Sequence, residues 1–155
     1  AHRRDRERSM PFSTLAPLLE IRGVTFYTLQ KSSAAQQLNT LAPHLRPIDY
    51  TADLKTMADT AALIENLDLL ITVDTSVAHL AGALAKPVWV MITAVPHWGW
   101  GLGSEHTPWY PTMRLFRQHK PDEWSPAVER IKTALAEKAA KHASDRNLPA
   151  TRDGV

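Results

Sequence analysis

From about residue 10 to residue 140, short apolar runs alternate with stretches whose apolar residues recur every three or four positions. Two of the runs, Leu69 to Val73 and Val88 to Ile92, are continuous and rich in branched residues, as in strands buried on both faces of a sheet. Between them Val77, Leu80, Ala81 and Leu84 fall on one face of a helix. Asp74, Thr75 and Ser76 are capping residues at its start, and Lys86-Pro87 stops it. The 67–92 segment is therefore a strand–helix–strand unit, the repeating element of a parallel sheet.

The same alternation places the other elements. Helices are predicted near 13–21, 33–41, 53–66, 75–85 and 125–140, and strands near 24–29, 69–73, 88–92 and 113–117. Ser13 starts the first helix and Gly23 ends it; Ser33 to Gln36 is a capping box for the second. Asp53 is the expected cap of the third, whose apolar face is Leu54, Met57, Ala58, Ala61 and Ile64. Ile48 to Tyr50 has the composition of a further short strand. Ser125-Pro126 opens the last helix, with Val128, Ile131 and Leu135 on its apolar face. Residues 1–9 show no periodicity and read as a loop cut off from something upstream. From about Lys141 the chain is polar and is expected to be a disordered tail through residue 155. The expected fold is α/β: a three-layer sandwich with a mostly parallel sheet, formed by residues 10–140.

Candidate chemistry gathers at the turn after Val73. Ligands of open α/β sheets bind outside the carboxyl ends of the strands. A helix N-terminus there presents unpaired N–H groups and a partial positive charge. Thr75 and Ser76 add hydroxyls, and His79 projects from the same first turn, so a phosphate or diphosphate fits. The alternative is that Asp74 or Thr75 only caps the helix and His79 is a surface histidine. After Ile92 the pattern fails for about 19 residues. This loop, Thr93 to Pro111, holds His97, Trp98, Trp100, Trp109 and Tyr110. It is either a functional surface or a hydrophobic cluster over the sheet edge.

Composition narrows the classes. The 155 residues suffice for one domain, and 44% hydrophobic with 22% charged residues is ordinary for a soluble protein. No apolar run approaches the roughly 20 residues of a membrane span. The charged N-terminus is unlike a signal peptide. The absence of cysteine excludes disulfides and thiolate metal sites and fits a reducing compartment, so a cytoplasmic location is expected. The seven histidines show no H-x-x-x-H spacing, and no metal site is expected. Net charge is only +2, but Arg3, Arg4, Arg6 and Arg8 cluster at the front, where they suit a nucleotide phosphate or nucleic acid. The aromatic residues lie far from that cluster, which disfavours nucleic acid. Ser76 and His79 as a hydrolase pair lack the glycine elbow such a serine needs.

D-T-S-V-A-H-L-A-G-A-L-A-K-P-V-W, Asp74 to Trp89, resembles the D-T-x-x-x-H-L-A-x-A-L-x-x-P signature of heptosyltransferase-like glycosyltransferases. The segments His2 to Ser9, Leu15 to Leu19, Thr28 to Lys31 and Pro108 to Gln118 resemble the same group in the same order. Over residues 2–135 the chain looks like the C-terminal half of such an enzyme, of the kind joined to tetratricopeptide repeats in bacterial proteins. The resemblance implies a Rossmann-like domain of a GT-B enzyme that binds a nucleotide-sugar donor as substrate, without a cofactor. It implies inverting, metal-independent transfer, with the acceptor and the catalytic base on a preceding domain. Asp74, Thr75, Ser76 and His79 would contact the donor. Arg6 and Arg8 would neutralise leaving-group charge, and Gln30 and Lys31 would lie near the nucleotide. Two departures stand out. The group's first strand and its glycine turn should precede His2, so the sheet is expected to carry an open slot and the chain to be inactive alone. Serine also stands at position 76 where the group's D-T-G variant has glycine. A nucleotide-binding or regulatory module without transferase activity is the alternative.

Overall fold

A computed structural model of the protein describes residues 9–31 and 33–147. Arg6 and Arg8 lie outside the described residues. Five strands form: β1 (Tyr27–Thr28), β2 (Ile48–Asp49), β3 (Leu70–Val73), β4 (Val88–Ile92) and β5 (Met113–Arg117). Every strand pairing is parallel, with Leu70 opposite Val88 and Val88 opposite Met113 in the main sheet. Three α-helices connect or follow the strands: α1 (Met57–Glu65), α2 (Ser76–Ala83) and α3 (Ser125–Asn147).

The continuous apolar strands are filled from both sides, which makes three layers. Val88, Val90, Ile92, Met113 and Leu115 face α1 and α2 through Ile64, Ala78 and Ala81. Met91 and Phe116 face the opposite way, onto Val128 and Ile131 of α3, with Leu18 and Trp124. Side chains alternate across a pleated strand, so adjacent positions of β4 and β5 feed different cores. The expected Rossmann-like parallel α/β sandwich is the observed fold.

Several local expectations are corrected. The 13–21 segment, with Pro17 inside it, makes two short 3-10 turns, Phe12–Thr14 and Ala16–Leu18, rather than an α-helix. Ser33–Thr40 is also 3-10. Only Tyr27–Thr28 of the 24–29 strand is ladder-paired. Thr56, not Asp53, caps α1. Its side chain accepts from the Asp59 amide while the Asp59 carboxylate takes the Thr56 amide, a reciprocal box that outcompetes an isolated aspartate. Those bonds, chiefly with Thr56, hold the Asp59 carboxyl below its ordinary range. Met57 and Ala58 face solvent, and α1 buries Thr60 and Ile64 instead. α3 continues through Asn147, so residues 141–147 of the expected tail are helical, and its remainder, 148–155, lies outside the described residues.

The sheet is split. β1 pairs only with β2, and β3 pairs only with β4, so β1 and β3 each have one edge with no strand on it among the described residues. A cavity of about 1040 Å³ separates them, lined by Val24 to Gln30, Leu69 to Val73, Leu18 and Met91. No strand among the described residues lies between the two sheets. Unpaired parallel edges flanking apolar walls invite another strand. The 155-residue chain is therefore expected to self-associate. Sedimentation velocity should show a mass that rises with concentration; a monomer at all concentrations with a cooperative, high-temperature melt would contradict this.

Candidate functional site

The β3–α2 turn takes its shape from residues that resist helix at their own position. Thr75 is the N-cap with extended φ and ψ of −143° and 169°. Its carbonyl accepts from the Ala78 amide, which closes the first turn. Its hydroxyl makes no capping bond and lies 3.4 Å from the Thr72 hydroxyl instead. A first turn without its N-cap side chain keeps amide donors available to an anion. Ser76 is exposed at the first helical position.

His79 is held on three sides. Its Nδ1 is 3.1 Å from the Tyr110 hydroxyl, its ring stacks on Trp100 at 5.2 Å, and its Nε2 is 3.8 Å from Asp74 Oδ1. Half of the imidazole still faces solvent. Tyr110 in turn lies flat against Gly82 of α2, where an added Cβ would come within 2.6 Å of its ring. A residue with no side chain is required there for the tyrosine to reach His79.

The 93–111 loop is thus two things at once. Trp100 is buried and Tyr110 packs on the core. The loop also covers the outer edge of β5, with an antiparallel bridge between His106 and Arg114 and a bond from the Leu115 amide to the Glu105 carbonyl. Arg117 clamps it by donating to the Trp100 and Ser104 carbonyls at 2.6 and 3.0 Å, and burial lowers the guanidinium's pKa. Trp98, Leu102 and Trp109 remain exposed.

The structure joins part of the predicted site. Asp74, Thr75 and His79 share one turn, and Thr75 and Gln30 line the same large cavity. Lys31 is exposed and does not line that cavity. Sequence reasoning missed Tyr110 and Trp100 as partners of His79. The signal was a tyrosine in an aromatic loop together with glycine at position 82, in the midst of a helical apolar pattern.

A parallel α/β sandwich with polar side chains collected at one strand-to-helix turn has them where open α/β sheets bind ligands. The pattern of glycosyltransferase family 9 (heptosyltransferase) matches residues 9–96, and the chain belongs to that family. It is also 34% identical over 137 residues to Protein FlbA of Caulobacter vibrioides, an alignment covering 84% of this chain and 22% of that protein. The chain thus spans about a fifth of the length of this curated relative. No solved structure matches the chain. No helix among the described residues is long and apolar enough to cross a membrane.

Proposed function

We propose that this domain binds the nucleotide-sugar donor of an inverting, metal-independent glycosyltransferase, with the diphosphate at the first turn of α2. The observation that carries the reading is the uncapped Thr75–Ser76 turn with His79 beside it, in a chain of family 9. With the Tyr110 hydroxyl donating to Nδ1, the His79 Nε2 carries the proton and donates to a phosphate oxygen. Thr75 and Ser76 add hydroxyl donors. Asp74, a poor partner for a phosphate, accepts from a hydroxyl of the ribose or sugar. Gln30, on the wall of the shared cavity, lies toward the nucleoside, as does Lys31. Arg6 and Arg8 add positive charge near the departing diphosphate. As the glycosidic bond breaks, negative charge builds on that leaving group, and donors fixed beforehand stabilise it.

The acceptor and the catalytic base belong to a further domain of a longer polypeptide, with tetratricopeptide repeats as its expected companion, in the cytoplasm. The 155 residues alone then bind donor without transferring it. The test is calorimetric titration with ADP, UDP and GDP. Saturable binding of one of them is the expected result; no binding of any would overturn the reading. A donor-binding module with no transferase partner is the second reading, and a longer polypeptide that binds donor but never turns it over would favour it.

A further inference from the structure

The aromatic loop leaves a second, smaller cavity of about 390 Å³, lined by no residue of α2. Trp98, Trp100, Leu102, Pro108 and Trp109 line it, with Ser104 and His106 at its polar side. Its volume falls within the range of small-molecule sites, and so does its make-up of aromatic walls with a few polar groups. Exposed indoles are costly to leave in water, and hydrogen bonds fix the loop that carries these. The Trp109 indole N–H donates to the Gly99 carbonyl at 2.9 Å, and the Gly99 amide donates to His97 Nδ1. Arg117 fixes the loop backbone on both sides of Gly101. Trp98 nonetheless stays 79% exposed and Trp109 61% exposed. Aromatic surface left open on a hydrogen-bonded loop is preorganised for a ligand.

The cavity is tied to the proposed diphosphate turn. Trp100 lines it and stacks on His79, so the two places share a wall. Both lie in segments that follow the carboxyl ends of adjacent strands, β3 and β4. A group attached to a diphosphate on α2 is therefore within reach of the loop.

We infer that the Trp98–Trp109 cavity is the saccharide subsite: a pyranose ring of the donor lies with its apolar C–H face on these indoles and its hydroxyls toward Ser104 and His106. This rests on the proposed donor site but adds a separate claim, that the sugar itself contributes to binding through the loop. Aromatic contacts of this size give about 3- to 10-fold in affinity.

The test compares UDP-N-acetylglucosamine, ADP-glucose and GDP-mannose with UDP, ADP and GDP on the purified 155-residue chain. At least one nucleotide-sugar is expected to bind about 3- to 10-fold more tightly than its own diphosphate. In Trp98→Ala that advantage is expected to vanish while diphosphate affinity and melting temperature hold, because Trp98 is exposed; Trp98→Phe should keep most of it. Diphosphates that bind as tightly as every nucleotide-sugar would overturn the inference and leave the donor site standing. So would an undiminished sugar advantage in Trp98→Ala. Binding of neither class would remove the donor site and this inference with it.

Discussion

Gly82→Val is expected to destabilise the protein by roughly 3 kcal/mol, the upper end of what overpacking a core costs. A Cβ at position 82 would sit 2.6 Å from Cγ and Cδ1 of Tyr110 and 3.1 Å from Cε of Met113. The methionine tip can rotate away. The tyrosine atoms are at the root of its ring, so only a shift of the whole side chain relieves the contact. Gly82 is itself buried within α2, so the helix cannot tilt into solvent to make room. Alanine makes the same collision but gains about 1 kcal/mol of helix propensity over glycine, so Gly82→Ala should lose less. Both variants displace the hydroxyl that meets His79 Nδ1, so both should also weaken nucleoside diphosphate binding. Urea unfolding followed by far-ultraviolet circular dichroism gives the stability. A Gly82→Val variant within 0.5 kcal/mol of wild type, by the usual spread of neutral surface changes, would show that Tyr110 is not held where the structure has it.

The parts of the fold that the sequence reveals are those whose residues decide their own conformation. β4 and β5 appear at their expected bounds because Val88 to Ile92 and Met113 to Arg117 are too short for helices and are bounded by Pro87 and Pro111. The start of α2 is legible because Thr75 and Ser76 favour a cap and Pro87 follows its end. Elsewhere the outcome depends on distant partners. Nothing between 24 and 29 says that only Tyr27 and Thr28 will be paired; that depends on β2, the one strand beside them among the described residues. Thr56 wins over Asp53 because Asp59 answers it, a two-residue bond that a one-residue preference cannot show.

The candidate site divides in the same way. Asp74, Thr75 and His79 are near one another in sequence, so helical spacing alone brings them together. Tyr110 is 31 residues from His79, and its contact exists only because β4 and β5 lie side by side and the connecting loop folds back over α2. A tyrosine among tryptophans carries no mark of that role. Gln30 and Lys31 divide too: Gln30 lines the large cavity, and Lys31, the next residue of an extended segment, does not.

His79→Ala is expected to weaken nucleoside diphosphate binding by roughly 1.5–3 kcal/mol, the value of a hydrogen bond to a charged group. That is a loss of about 10- to 150-fold in affinity. His79 also packs, because its ring stacks on Trp100 and meets Tyr110. The alanine variant is therefore expected to lose about 1 kcal/mol of stability from the ring contact as well. The two effects must be separated, since a loosened loop could by itself reduce affinity. His79→Phe does so. A phenyl ring keeps the face on Trp100 but offers no donor, so stability should stay near wild type while affinity falls as far as in alanine. The half-exposed imidazole leaves room for the slightly larger ring. Calorimetric titration of wild type and both variants, beside their urea unfolding curves, decides between the roles. Wild-type affinity in His79→Phe with reduced affinity in His79→Ala would mean that the histidine only props the aromatic loop, and that the diphosphate is held by the backbone of α2 without it.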